Sequence, residues 1–131
     1  KITPYLTAAL YALTLLILFI NHSSKLLLTI IKPLSSFLIV TLIRKLYNRP
    51  RPCVVFNIEP LVDHKTDESF PSRHTVSAFT IAFALLNISL PLGIISLIIA
   101  CLVGLSRIFC GVHFVSDVFC GFLIALIIHL I

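Results

Sequence analysis

From Thr75 to Ser106 the chain runs 32 residues without a charged side chain. Wound as one α-helix, that stretch would reach about 48 Å, well past a hydrocarbon core of about 30 Å. It must fold back on itself, and Leu90-Pro91-Leu92-Gly93 near its middle is predicted to be a tight turn between two helices. Three shorter apolar runs accompany it. Pro4–Ile20 carries no charge over 17 residues, and Leu26–Ile43 is interrupted only by Lys32-Pro33. Phe114–Ile131 carries Asp117 near its start and His129 near its end. The proline predicts a kink, and Lys32 is expected to snorkel to the nearer interface.

Only 11% of the residues are charged, against about 25% in a soluble domain, and 59% are hydrophobic. A chain of 131 residues has no interior large enough to hide that much apolar surface, so an integral membrane protein is the class that fits. The net charge of +5 does not point to nucleic acid. The ten Lys and Arg form no run longer than two, and no aromatic-basic stripe accompanies them. A phosphate-binding site or ordinary membrane-flanking charge accounts for the excess. The four cysteines show no C-x-x-C spacing and read as small hydrophobes. Lys1 before an apolar run resembles a signal peptide. No small-x-small cleavage site follows, so an uncleaved membrane helix is expected instead. There is no internal repeat. The expected architecture is all-α, one integral-membrane domain over residues 1–131, with about five transmembrane helices and one long polar connection.

That connection, Arg44 to His74, holds six of the ten basic residues, four of the five acids, and prolines at 50, 52, 60 and 71. Such a segment will not span a bilayer, although Phe56, Ile58, Leu61 and Val62 are expected to dip into the interface as a lid. Counting crossings then locates the charges. The connection leaves and returns on the side where the second helix ends, so Arg44, Arg51, Ser72, Arg73 and His74 lie there. The next helix crosses away and the fourth returns, bringing Arg107 to the same side. The last helix starts there with His113 and Asp117. An ionisable group in a membrane helix costs roughly 2.5–3.5 kcal/mol on insertion scales, so each is a functional candidate.

His113 and Asp117 are four residues apart and share one face of a helix. Arg forks suit phosphate oxygens. Ser72 is placed as an N-cap, at a helix start whose free N–H groups favour an anion. Two histidines and an orienting carboxylate suit phosphoryl transfer, one imidazole attacking phosphorus and the other protonating the leaving oxygen. Arg107 and His113 are six apart and would diverge on one unbroken helix, so a break around Gly111 is expected to let both address one phosphate.

At these residues the chain resembles the type 2 phosphatidic acid phosphatase superfamily, which also contains the vanadium haloperoxidases. Arg44-Lys45-Leu46-Tyr47-Asn48-Arg49-Pro50-Arg51-Pro52, Pro71-Ser72-Arg73-His74, and Ser106-Arg107 with His113 and Asp117 are similar to its patterns K-x6-R-P, P-S-G-H and S-R-x5-H-x3-D. The resemblance implies a small bacterial membrane phosphatase acting on a lipid phosphate or diphosphate through a phosphohistidine, with no metal or other cofactor. By position, His113 is the nucleophile, Asp117 its orienting partner and His74 the general acid. Arg44, Arg51, Ser72, Arg73 (through its backbone N–H) and Arg107 bind the phosphate. Two positions depart from the pattern. Arg44 stands where the family has lysine, and Arg73 stands where it has glycine. The Arg73 side chain is expected to engage a second phosphate or a head group.

The expected substrate is undecaprenyl or another polyprenyl diphosphate, with phosphatidylglycerophosphate or phosphatidate as the alternative. A non-catalytic anion-binding membrane protein is the reading from another class. The site side is the more basic, which alone would make it cytoplasmic; the family resemblance implies an extracytoplasmic site. Arg49 is read as a head-group or solvent contact, and His22, His64 and His129 are assigned no role. Glu59, Asp63, Asp67 and Glu68 read as a solvated face rather than a metal site with His64.

Overall fold

The computed structural model describes residues 3–62 and 66–131. Asp63, His64 and Lys65, with Lys1 at the start, lie outside the described residues, and with them the expectations placed on His64, Asp63 and Lys1. All regular structure among the described residues is helical. The order is α1 (Thr3–Ile20), α2 (Leu26–Leu46), α3 (Pro52–Val55), α4 (Arg73–Leu86), α5 (Leu90–Phe109) and α6 (Val115–Leu130). Five of these are the anticipated long helices; the short α3 inside the polar connection was not anticipated.

The bundle is built around α4. Ten of its 14 residues are buried, and it touches α1, α2, α5 and α6. Wound at 1.5 Å per residue it is about 21 Å long, too short to cross a bilayer with its own ends in water. Surrounding helices cover it instead. Ala78, Phe79, Ala82 and Phe83 pack with Ile99, Ala100 and Val103 of α5 and Ala125 of α6. Small residues at such contacts let helix backbones approach where lipid supplies no hydrophobic drive for association. Away from α4 the surface is apolar: Leu13, Leu16 and Phe19 of α1, Leu38 and Leu42 of α2, Ile98 of α5 and Ile127 of α6 are exposed. Buried hydroxyls satisfy themselves locally, Thr14 on Leu10 O, Ser36 on Pro33 O and Thr80 on Val76 O, at 2.7–2.8 Å. Polar atoms bonded inside and leucines outside are the arrangement of a protein solvated by lipid. Among the described residues, α2 and α5 are by length and composition alone the two helices that suffice to cross a membrane.

The reversal within the long uncharged run falls at Asn87–Ser89, three residues before the predicted turn. Pro91 and Gly93 lie inside the first turn of α5. Proline is accommodated there because its missing N–H has no intrahelical partner to lose. Gly93 is needed for space, since a Cβ on it would lie 2.4 Å from Leu86 Cα. At the other end of the hairpin, Gly104 of α5 faces Thr75 at the start of α4. The pair is therefore antiparallel, as counting crossings requires.

Pro33 leaves Thr29 O without its usual helical donor, and the Tyr11 hydroxyl of α1 fills that place at 2.9 Å. The helix runs on through the proline to Leu46. Arg44 and Lys45 thereby belong to the last turn of α2, and the polar connection begins at Tyr47. Lys32 does not snorkel free: its Nζ donates to His129 O at 2.8 Å, while Lys25 Nζ donates to Asn87 O at 2.8 Å. Both lysines thus bond carbonyls at the C-terminal ends of α4 and α6, where positive charge is favoured. They gather the start of α2 and the ends of α4 and α6 at one end of the bundle, opposite the candidate site. His129 also stacks on Phe83 at 4.9 Å.

Adding a methyl group at Gly93 forces α5 away from α4 at the backbone. Gly93→Ala is expected to destabilise the bundle by about 1–3 kcal/mol, read as a lowered thermal midpoint in detergent. An unchanged midpoint would mean that α4 and α5 do not approach this closely.

Candidate active site

The segment joining α5 to α6 is shaped by a glycine. Gly111 has φ +71°, Val112 N–H donates to Arg107 O at 3.3 Å, and Gly111 N–H donates to Ile108 O at 2.9 Å. These two bonds make a Schellman turn, in which a left-handed residue just past the helix satisfies its last carbonyls. It ends α5 within one turn of Arg107 and releases His113 from the α5 register, as the spacing required. Helix α6 then starts at once. Asp117 N–H donates to Phe114 O at 3.0 Å, and Phe114 N–H returns a bond to Asp117 Oδ2 at 2.9 Å. The carboxylate thereby covers an otherwise unbonded N–H at a helix start, where negative charge is also stabilised.

Segments far apart in the chain meet on this turn. Arg44 Nη1 donates to Pro71 O at 2.9 Å, and its Nη2 lies 3.9 Å from Glu68. Arg51 Nη1 donates to Val112 O at 2.9 Å, and its Nε to Asp67 O at 3.2 Å. Ser72 N–H donates to Asp117 O at 3.0 Å, and Cys53 N–H of α3 donates to Gly111 O at 3.1 Å. Arg44, Arg51, Ser72, His113 and Asp117 are thus linked by contacts between neighbouring segments. Arg107 is 5% exposed, and its guanidinium makes no hydrogen bond or ion pair among the described residues. A buried, unpaired guanidinium costs several kcal/mol unless an anion joins it.

His113 Nδ1 faces Asp117 Oδ2 at 3.5 Å, beyond a formed hydrogen bond but within ion-pair reach. That geometry leaves Nε2 to address a ligand. Burial pushes the His113 imidazole below its ordinary range. The charges on Arg51 and Arg44 act in the same direction, and Asp117 opposes them. His113 is therefore neutral near pH 7.

Three anticipated residues differ in detail. Ser72 occupies the N-cap position of α4 but makes no side-chain cap; its Oγ accepts from Thr75 Oγ1 at 2.9 Å. Arg73 lies over the Phe37 ring at 5.3 Å, and its buried Nε has no hydrogen-bond partner. His74 is half-buried on the wall of a cavity of about 250 Å³ between α1, α4 and α5, shared with Arg73, Thr7, Ser77, Ile81 and Val103. In the connection, Phe56, Ile58 and Leu61 are exposed, in keeping with contact at the interface.

Arg49 is a correction. Expected to face solvent or head groups, its Nη1 donates to Asp117 Oδ1 at 2.8 Å and to Ser116 Oγ at 2.9 Å. The signal was present in Arg49-Pro50-Arg51-Pro52. A residue before proline is held extended, so two alternate arginines can project together. Among the described residues no three His, Cys, Asp or Glu side chains gather as a metal site.

The PAP2 superfamily profile matches residues 6–131, through all three charged segments. Undecaprenyl-diphosphatase BcrC of Bacillus subtilis is 38% identical over 131 residues, covering 97% of this chain. The chain spans 67% of that relative's length and 60% of a Bacillus licheniformis protein also named BcrC. The crystal structure of Aquifex aeolicus LpxE superposes with a TM-score of 0.84 at 33% identity, covering 98% of this chain and 79% of that one. A transmembrane PAP2-type phosphatidylglycerolphosphate phosphatase from Bacillus subtilis gives 0.73 at 27%, with 97% and 73% covered. A profile match through every charged segment, on a fold that brings those segments to one end of a lipid-facing bundle, makes this chain a member of the PAP2 superfamily.

Proposed function

We propose that this chain is a single-domain membrane phosphatase that hydrolyses polyprenyl diphosphates, undecaprenyl diphosphate foremost, through a phosphohistidine. The observation that carries the reading is Arg107, buried without an anionic partner among the described residues in the last turn of α5, which the Gly111 turn joins to the neutral His113 and its carboxylate. Arg44 and Arg51 add two more buried guanidinium groups. Inside the cluster, among the described residues, the buried countercharge is Asp117, with Glu68 at its edge, so these residues are short of negative charge by an amount that a phosphate group supplies. Similarity to the BcrC diphosphatase favours a polyprenyl diphosphate as the lipid.

In the proposed reaction His113 Nε2 attacks the terminal phosphorus while its Nδ1–H points at Asp117. The bond from phosphorus to the bridging oxygen breaks, and His74 delivers a proton to that oxygen, releasing the lipid monophosphate. Water then attacks the phosphorus of phosphohistidine, His74 takes its proton, and the P–N bond breaks to give inorganic phosphate. Arg44, Arg51, Arg107, Ser72 and the Arg73 backbone N–H hold the phosphate oxygens as charge moves among them. No metal is required. The Arg73 side chain, with its unpartnered Nε, takes the second phosphate. The cavity beside His74 and Arg73 receives the first part of the lipid chain, and the site opens on the extracytoplasmic side.

Phosphate release from a lipid panel in detergent with EDTA tests this reading. Undecaprenyl diphosphate is expected to outpace phosphatidylglycerophosphate and phosphatidate, undiminished by EDTA, and His113→Ala should lower kcat by at least about 1,000-fold. No release from any lipid phosphate, or equal release by His113→Ala, would overturn it.

The pH–rate profile follows from the two imidazoles. Activity should rise as His113 loses its proton and fall as His74 loses its own, giving a bell with coupled apparent values. Because the His113 value is lowered, the acid limb should lie below about pH 6.5. A rate that rises monotonically through neutral pH contradicts the assignment.

Arg73→Gly removes one charge-assisted contact to the second phosphate, and the diphosphate-to-monophosphate rate ratio should fall about 10-fold. An unchanged ratio would remove Arg73 from substrate selection.

A further inference from the structure

We propose that Arg49 is a positioning residue of this site: it clamps Asp117 by the oxygen that His113 does not face, fixing the carboxylate's rotamer and neutralising its charge. The inference rests on the reading of His113 as nucleophile.

Asp117 is fully buried and has two oxygens to satisfy. Oδ2 takes the Phe114 N–H and faces His113, while Oδ1 takes Arg49 at 2.8 Å. The arginine is anchored on several sides. Its Nη1 also reaches Ser116 Oγ, and its Cζ stands 4.1 Å over the Phe114 ring. The Phe114 ring meets Phe56 beyond α3 at 6.3 Å, edge on. On the backbone, Arg49 O accepts Ser69 N–H at 2.9 Å. A head-group contact would have no reason to be held at both ends.

The consequence is electrostatic. A buried carboxylate facing an imidazole draws a proton onto it, and a protonated His113 cannot attack phosphorus. Arg49 supplies positive charge to Asp117 from the other side, so the histidine need not. The remaining charges acting on the pair come from Arg44 on α2 and Arg51 on the connection, which in turn feel Glu68 on the connection and Arg73 at the start of α4. Among the described residues none of these is hydrogen-bonded or ion-paired to the Asp117 carboxylate. Arg49 is the arginine that can set its direction.

The test compares Arg49→Ala, Arg49→Gln and Arg49→Lys with wild type and His113→Ala in the full chain, measuring kcat, KM and pH profiles on undecaprenyl diphosphate. Arg49→Ala and Arg49→Gln should lose kcat on the order of 100-fold at nearly unchanged KM. Their acid limb should move up by about one pH unit, because His113 now meets the full Asp117 charge. Arg49→Lys keeps the charge, so its acid limb should stay near wild type. Its kcat should still fall, since one ammonium cannot reproduce the guanidinium's grip on the carboxylate, the hydroxyl and the ring. Thermal midpoints identify any variant that does not fold, and the folded variants decide. An unmoved acid limb in Arg49→Ala or Arg49→Gln overturns the inference, as does a raised KM with kcat intact, which marks a substrate contact. If wild type is active and His113→Ala is dead, such a result leaves the catalytic reading standing. If wild type releases no phosphate, both fall together.

Discussion

Asp117 is where the structure is tied together. Its backbone carbonyl receives Ser72 N–H from the entrance to α4, and one carboxylate oxygen receives Phe114 N–H at the entrance to α6. The other oxygen receives Arg49 from the polar connection, and the carboxylate faces His113. One buried residue thus holds three segments that are separated in sequence. A carboxylate in this setting is tolerable only when its oxygens are occupied. The groups that occupy them bring Arg49 of the polar connection and His113 to the start of α6. Stability of this end of the bundle and assembly of the site depend on the same bonds.

The opposite constraint is apolar. Helix α4 is short, buried and carries the Ser72–His74 segment at its N-terminal end. Because its neighbours cover it, that end can stay below the surface of the bundle and still meet α6 at Gly121, where a Cβ would lie 3.3 Å from Ser72 O. Glycine and alanine at the crossings set how deeply the site sits, and the Schellman turn at Gly111 sets which way His113 faces. Lys25 and Lys32 do the corresponding work at the far end by holding the last carbonyls of α4 and α6. The two ends therefore differ in kind: one collects carbonyls and lysines, the other collects more arginines than Asp117 and Glu68 pair with among the described residues.

Much of this was legible in the sequence because lipid leaves few choices. Uncharged runs separated by polar breaks had to be helices, and counting crossings is enough to put Arg44, Arg51, Ser72, Arg107, His113 and Asp117 on one side. Other features had no periodic signal. Pro91 and Gly93 look like a turn by composition, yet proline also suits the first turn of a helix and glycine also suits a close crossing. The reversal went to Asn87–Ser89 instead. Ser72 sits where a capping serine belongs, but Thr75 takes its oxygen. Arg49 pairs across 68 positions with Asp117, a contact that depends on how the connection folds back. Only the alternation of arginine and proline hinted at it.

The central claim is covalent: phosphorus passes through His113. The direct test is rapid acid-free quenching of the enzyme with undecaprenyl diphosphate labelled in its terminal phosphate, followed by peptide mapping under alkaline conditions. The account predicts label on His113, stable to base and lost in acid, appearing before inorganic phosphate and absent from His113→Ala. Turnover with no protein-bound label at any time, under conditions where the second step is slowed, would mean that water attacks the lipid phosphate directly and would contradict the account.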